Sequence, residues 1–310
     1  MSALAPFSSP GRFWRGNLHT HSTLSDGALS PEDVVDAYKE AGYDFIMLSD
    51  HFIGQFDWPI ADTRGFRSNS FTTIIGSELH APATEVGELW HIVGAGLPLD
   101  FPAPSKSETG PQLARRAAEA GAFVGIAHPA WSQLTMADAR AVDCAHAVEI
   151  YNHGCAVETD RGDGWYLLDQ MLTEGRRLTA FATDDAHFKN PDYFGGWVHV
   201  KAESLDPDVL LDALKKGQYY SSQGPLLHGI EMQGKEIGIS CSPVDAITVL
   251  CGTSRTVIRY GKAITDASFD LSKLEKGWLL KRTSPWFRVV AIDHAGKRAW
   301  SNPIWWDELR

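Results

Sequence analysis

The amino-acid sequence predicts an α/β fold, a β/α barrel followed by a smaller β-rich domain, on three observations. Runs of strand length, rich in β-branched and aromatic residues, recur through the first two thirds of the chain. Segments with helical caps separate several of them. After Pro225 helical spacing gives way to short alternating strands. At 310 residues and 44% hydrophobic content, the chain is long enough for a full barrel and a second unit.

The elements follow in order. Residues 16–18 lead to His19, 43–49 to Asp50 and His51, and 72–77 to Glu78. Residues 122–127 lead to His128, 147–148 to Glu149, and 178–183 to Asp184 and Asp185, so each run ends on a side chain that can ligate a metal. Ser30, Pro31, Glu32 and Asp33 supply an N-cap, a proline at the first helical position and early acids, and Gly42 stops that helix. Segments 112–120 and 165–174 close at Gly121 and Gly175; segment 206–216, opened by Asp206 and Pro207, closes at Gly217. Such alternation brings the C-terminal strand ends to one mouth. Beyond it, 229–233, 246–250, 256–260 and 286–291 read as strands, giving a barrel over 1–225 and a β-sandwich-like domain over 226–310. Trp286, Trp300, Trp305 and Trp306 are expected in that domain's core or its seam with the barrel.

Four short pieces carry chemistry: His19-Thr20-His21, Ser49-Asp50-His51, Ala127-His128-Pro129 and Asp185-Ala186-His187. Imidazole and carboxylate are what divalent transition metals bind. An H-x-H tripeptide alone is weak evidence, and a single histidine is commonly structural. Their occurrence in order on successive strand ends points to one metal site, and hence to a hydrolase.

The segment Gly16-Asn17-Leu18-His19-Thr20-His21-Ser22-Thr23-Leu24-Ser25-Asp26-Gly27, together with Asp50-His51, Glu78, His128-Pro129 and Asp185-Ala186-His187, resembles the PHP family, named for polymerase and histidinol phosphatase. The likeness spans roughly residues 12 to 225 and implies a distorted (β/α)7 barrel with two or three divalent ions, zinc, manganese or iron, at its mouth. Carried over residue by residue, it implies a first metal on His19, His21, Glu78 and Asp185. A second would share Glu78 with His91 and His128, and a third would use Asp26, His51 and His187. His91 stands in a His-hydrophobic-hydrophobic-Gly string at the start of a strand, and His80 competes with it, lying two residues beyond Glu78. Asp26 replaces a histidine of some members. The ending, residues 296–305, resembles the tail of a branch that includes carbamate and aryl-ester hydrolases.

A carboxylate bridging two cations about 3.5–4 Å apart lets them acidify a shared water and grip phosphoryl oxygens. The expected reaction is therefore cleavage of a phosphoester in a small molecule by metal-bound hydroxide, with Glu78, Asp185 and His187 as catalytic residues; no G-x-S-x-G elbow offers a serine nucleophile. Asn152, His153 and Arg161 are the candidate substrate contacts; Lys189, Arg64 and Arg67 are further cations after strand ends. Asp50, Asp184, Glu149, His153 and His187 remain open as proton donors or ligand supports. The same ligands would serve a carboxyl-ester, carbamate or amide hydrolase, and a binding module without turnover is the third reading.

Composition limits the partners. A net charge of -11, with no basic run longer than a pair, argues against long nucleic acid. Cys144, Cys155, Cys241 and Cys251 form no C-x-x-C pair, and the first ten residues lack the charged start and apolar core of a secretion signal, which predicts a reduced cytoplasmic protein. No stretch approaches a membrane span.

Overall fold

The computed structural model describes residues 2–272, 274 and 283–309; residues 273, 275–282 and 310 of the expected C-terminal unit lie outside them. Chain order is β1 (Ser2–Ala3), β2 (Arg12–Asn17), α1 (Pro31–Glu40), β3 (Phe45–Ile46), β4 (His51–Phe52), β5 (Thr72–Thr73), β6 (Gly76–Ala81), β7 (Trp90–Ala95), α2 (Gly110–Glu119) and β8 (Phe123–Ile126). It continues with α3 (Met136–Ala141), β9 (Ala147–Asn152), α4 (His153–Thr159), α5 (Trp165–Thr173), β10 (Thr179–Thr183), β11 (Trp197–Ala202), α6 (Pro207–Lys215) and β12 (Tyr219–Ser222). The remaining strands are β13 (Leu227–Gln233), β14 (Glu236–Cys251), β15 (Thr256–Asp270), β16 (Trp286–Ile292), β17 (Arg298–Ser301) and β18 (Ile304–Trp305).

Helices begin where their capping chemistry stands. The Ser30 hydroxyl accepts from the Asp33 N–H ahead of Pro31, Thr109 and Gln112 form a reciprocal capping box, and Asp206 caps α6. Each cap satisfies N–H groups that the first helical turn leaves unpaired. One apolar side of each helix then turns inward, as with Val34, Val35 and Tyr38 of α1 and Leu113, Ala114 and Ala117 of α2.

The result is a mixed α/β protein with two sheets and a two-domain architecture. Among the described residues one sheet has twelve strands, in the path β1-β13-β14-β16-β17-β12-β11-β2-β3-β5 with β15 on β14 and β18 on β16; the other has six, in the order β10-β9-β8-β7-β6-β4. Pairings β2–β3, β3–β5, β4–β6, β8–β9 and β9–β10 are parallel. A parallel bridge joins Thr20 to Ala186, beyond the ends of β2 and β10.

Strict strand–helix alternation is not found. Between β4 and β5 the chain makes only two short 3-10 turns. Strand β7 returns beside β6 and runs antiparallel to both β6 and β8. The reversal is local: the Gly87 N–H donates to the Thr84 carbonyl, the Thr84 N–H to the Glu88 carbonyl, and Gly87 takes φ +86°. An antiparallel strand starts where its parallel neighbours end, so β7 begins at the mouth.

Below the mouth, Leu18, Phe45, Met47, Val93, Phe123 and Phe181 form a fully buried interior cluster. Gly125 admits the Phe181 ring, since a Cβ there would lie 2.6 Å from its Cζ. Truncating such a phenylalanine would cost about 3–5 kcal/mol. Trp286, Trp300 and Trp305 pack in one cluster with Leu167, Leu168 and Leu178 from the N-terminal unit, so they fill the seam, while Trp306 packs beside Phe287 on the other side of the sheet.

Candidate metal centre

Glu78 organises the site. It lies on β6, fully buried, with Ser77 and Leu79 turned to the opposite side by the two-residue period of the strand. Its Oε1 is 2.7 Å from His91 Nδ1, 3.1 Å from His128 Nε2 and 3.5 Å from His19 Nε2. Its Oε2 is 2.7 Å from His51 Nδ1, 3.4 Å from His80 Nε2 and 3.7 Å from His21 Nε2. Each carboxylate oxygen thus faces imidazole nitrogens from three histidines.

Asp185 closes one side, its Oδ1 2.9 Å from His21 Nε2 and 3.1 Å from His19 Nε2. Its backbone sits at φ +56°, a left-handed conformation that a side chain tolerates poorly and that here turns the carboxylate into the cluster. Asp26 closes the other, its Oδ1 3.2 Å from His187 Nε2 and 3.3 Å from His51 Nε2.

Neighbouring acceptors set the rings. His19 Nδ1 is 3.1 Å from Glu149 Oε1, His80 Nδ1 is 3.0 Å from the Trp90 carbonyl, and His187 Nδ1 is 3.0 Å from the Asp185 carbonyl. Carbonyls and carboxylates only accept, so in the neutral ring Nδ1 carries the proton and Nε2 keeps its lone pair toward the cluster. Glu149 also accepts from the His128 N–H at 2.6 Å, from Asn152 Nδ2 at 3.0 Å and from the Thr183 hydroxyl.

The donor set fits divalent cations. His19 Nε2, His21 Nδ1, Glu78 Oε2 and Asp26 Oδ1 are buried without a hydrogen-bond partner. Four groups each have their ligand atoms within 4.8 Å of one another: His21/Asp26/His51/His187, His19/His21/Asp185, His19/Glu78/His128 and His51/Glu78/His80. Burial opposes ionisation of Glu78, yet His91, His19, His51 and His80 hold its carboxyl well below the usual range. Burial likewise disfavours a charged His51, but Glu78 and Asp26 on its two nitrogens raise it to about 10. Anions that stay ionised while buried among imidazoles attract cations.

No family model matches the sequence. No curated protein matches it by sequence either. Among solved structures, a two-domain protein from Bacteroides vulgatus containing a predicted PHP-like metal-dependent phosphoesterase superposes with a TM-score of 0.53 at 17% identity, covering 98% of this chain and 90% of that one. The fold is that of this two-domain PHP-like protein. A provisionally assigned metal-dependent phosphoesterase from Bifidobacterium adolescentis (TM-score 0.43, 15% identity, 65% of this chain and 94% of that one) and an amidohydrolase from Chromobacterium violaceum (0.39, 16%, 56% and 87%) are more distant.

Within the PHP-like fold the sequence-derived residues fall into three classes. His19, His21, Asp26, His51, Glu78, His91, His128, Asp185 and His187 converge at the mouth, and His80 joins them through Glu78 and through His51 Nδ1 at 2.9 Å. His80 and His91 are direct cross-strand partners in β6 and β7, which is why both reach one carboxylate. Asn152 is buried and holds Glu149 and Asp185 Oδ2, each at 3.0 Å, rather than facing the pocket. His153 turns to the Tyr151 hydroxyl at 2.9 Å, and Arg161 lines a neighbouring cleft with Glu88, Gln133 and Thr159 that shares Trp131 with the metal pocket.

The open proton-donor candidates also resolve. Asp50 accepts from Ser22 and Ser25, and Asp184 from the Gly195 and Gly196 N–H groups and the Tyr38 hydroxyl, so both brace loops. The pocket above the cluster has a volume of about 340 Å³. Besides ligand-type residues, Trp131, Gly154, Cys155, Glu158 and Lys189 line it; Lys189 is one of the cations expected after a strand end, and of the others only Trp131, three residues after His128 in a mouth loop, stood where a sequence signal existed. Lys189 Nζ is 3.1 Å from Asp26 Oδ2. Arg64 pairs with Asp62 on the surface, away from that lining.

Proposed function

We propose that the protein is a metal-dependent hydrolase cleaving a phosphoester of a small molecule, with Glu78 as the shared ligand of two cations. The observation that carries this reading is Glu78 itself, a fully buried carboxylate with three histidines on each oxygen. Bound there, divalent cations supply Lewis acidity, lowering the pKa of a water and polarising the scissile group. His19, His21 and Asp185 would hold one cation and His91 and His128 a second; Asp26, His51 and His187 would hold a third, the metals being zinc, manganese or iron. Glu149 and Asn152 orient these ligands. Lys189 binds an anionic oxygen at the mouth, and His187, its Nδ1 fixed on the Asp185 carbonyl, presents Nε2 to the pocket.

Seven chain segments pair in a circuit from β2 through β3/β4, β5/β6, β7, β8 and β9 to β10, with the Thr20–Ala186 bridge completing it; this supports a distorted seven-stranded barrel through about residue 225 and a β-domain beyond. Free cysteines at all four positions are compatible with a reducing cytoplasmic setting. No helix of the described residues is long and apolar enough to cross a membrane. We hold the expectation that no long nucleic acid is bound, on net charge.

One observation favours a second reading, a carboxyl-ester, carbamate or amide hydrolase. Lys189 is the sole lysine or arginine of the pocket lining among the described residues, and Glu158 shares that lining with Trp131. A polyanion meets repulsion there that a neutral acyl group does not. The deciding experiment is a phosphate-release screen over small phosphorylated molecules with manganese or zinc, run beside an ester and carbamate panel. Turnover of phosphoesters alone supports the first reading, turnover of acyl substrates alone the second, and no turnover in either a binding module.

A further inference from the structure

A second cavity, of about 430 Å³, adjoins the metal pocket, and Trp131 lines both. Three chain segments pass from one space to the other. Leading into β7, Glu88 lines the second cavity and His91 the first; beyond β8, His128 lines the metal pocket and Gln133 its neighbour; at α4, Glu158 lines the pocket while Thr159 and Arg161 line the cleft. The two spaces are thus consecutive along three segments, so a molecule held at the cations can extend past Trp131.

Trp131 is fixed by the turn that carries the ligand His128. The Ser132 N–H donates to the His128 carbonyl at 3.1 Å and the Leu134 N–H to the Pro129 carbonyl at 2.9 Å, and the buried Ser132 hydroxyl lies 3.0 Å from His128 Nδ1. The indole packs T-shaped on the rings of His91 and His128, at 5.3 and 5.0 Å between centroids, and still keeps 38% of its surface exposed. An aromatic surface held still in this way can bind a flat ring with little loss of side-chain freedom. Beyond it stands Arg161, just after the left-handed Asp160 that ends α4. Its backbone N–H is anchored on the Cys155 carbonyl at 3.2 Å, while its exposed guanidinium makes no hydrogen bond or ion pair among the described residues. A solvated arginine alone signifies little; this one lines a cleft that continues from the metal pocket. Its planar fork matches an anionic group with two oxygens. Glu88 lines the same cleft, which favours the single charge of a carboxylate over the two of a phosphate.

We propose that Trp131 and Arg161 form the leaving-group subsite of this hydrolase. It selects substrates whose scissile ester is joined to an aromatic ring bearing a carboxylate, the ring lying on the Trp131 indole and the carboxylate accepting from Arg161. The subsite rests on the metal-hydrolase reading and serves a phosphoester or an acyl ester alike. The probes are benzylphosphonate and the 3- and 4-(phosphonomethyl)benzoates, whose carbon–phosphorus bond resists hydrolysis. They are titrated by calorimetry into the manganese-loaded full chain at about pH 7, where the benzoate carboxyl is ionised.

The better carboxylate isomer should bind at least about fivefold more tightly than benzylphosphonate. Arg161→Ala should bring that ratio to about one, whereas Arg259→Ala, at an exposed arginine of β15, should leave it in place. Trp131→Ala should weaken both ligands about fivefold or more, and Trp131→Phe, which keeps a ring, should recover most of the loss; circular dichroism checks that each variant is folded. 4-(Aminomethyl)benzylphosphonate, which offers an ammonium to Glu88 instead, should bind no better than benzylphosphonate. A ratio of about one in the wild type, a ratio that survives Arg161→Ala, or tighter binding of the amine would overturn the subsite. Rates on two substrate pairs separate this from failure of the phosphoester reading: 4-carboxyphenyl phosphate against phenyl phosphate, and 4-acetoxybenzoate against phenyl acetate. Turnover confined to the acetates refutes the phosphoester reading and supports the subsite if their ratio depends on Arg161; equal rates within whichever pair turns over refute the subsite. No saturable binding of any phosphonate together with no turnover in either pair would overturn both.

Discussion

Replacing Glu78 with glutamine keeps shape and removes one charge, so it isolates what the anion does. The carboxylate is fully buried and its oxygens lie 2.7 Å from His91 and 2.7 Å from His51. At an effective dielectric of about 20, two unit charges about 3 Å apart interact by about 5 kcal/mol, and the term is larger against a dication. An amide oxygen still offers a ligand on one side, and a neutral side chain is cheaper to bury, so a net loss of about 4 kcal/mol is a reasonable expectation, or about a thousandfold in cation affinity. The glutamine amide nitrogen would also turn donors toward one trio of imidazoles whose lone pairs the site reserves for a cation. Elemental analysis after gel filtration should show Glu78→Gln short of at least one metal equivalent. Thermal melts should show that added manganese or zinc raises the melting temperature of the wild type and not of the variant, because a ligand stabilises only the state that binds it. A variant that keeps the full metal complement and the full metal-induced rise would refute the bridging role.

Three further outcomes are expected. His91→Ala should lower metal content and cut turnover by more than the 10–100-fold typical of an outer support, whereas His80→Ala, at 3.4 Å from Glu78 and tied to the Trp90 carbonyl, should cost about tenfold; metal analysis and rates on the two variants give the comparison. Asp26→Ala should remove one cation while sparing the melting temperature within a few degrees, readable by metal analysis and by anomalous scattering at the metal edges; two cations in the wild type would end the three-metal reading. Burial and then Arg15 lower His199 to about 3, so between about pH 6.5 and 3 the unfolded chain binds a proton the native one refuses, and stability present above 6.5 is lost as pH falls. Urea unfolding at pH 7 and pH 5 should show the wild type losing about 2 kcal/mol more than His199→Gln, which retains an acceptor for the Trp197 indole N–H.

How much of this was legible in the sequence depends on whether the information was local. Caps such as Ser30, Thr109 and Asp206 act within one turn, and the helices start beside them. Glu78, expected to follow a strand over 72–77, stands inside β6, whereas ligands just beyond the ends of β2, β8 and β10, His19, His128 and Asp185, announce themselves because strand and ligand are contiguous. His91 does not, because its strand runs the other way and meets the mouth with its first turn of chain; only the register opposite His80 explains why both histidines serve one carboxylate. A left-handed Asp160 ends α4 just before Arg161, which then lines the cleft beside the metal pocket rather than the pocket itself. Asn152, expected to meet substrate, is occupied two ways inside the cluster, a tertiary fact no spacing records. Cys155 and Glu158 reach the pocket only through the placement of α4.

The twelve-stranded sheet has a consequence for taking the molecule apart. Strand β17 lies between β16 and β12, and β12 passes the ladder through β11 to β2 and the His19 segment, so backbone hydrogen bonds run unbroken from the last hundred residues to the first twenty. Scissors applied near residue 225 would sever one peptide bond yet leave the halves laced together, and a gene cut there would express two fragments with raw edges, each displaying a row of unpaired amides prone to self-association. Mixed at equal concentration, the halves should mend into one particle; alone, each should precipitate.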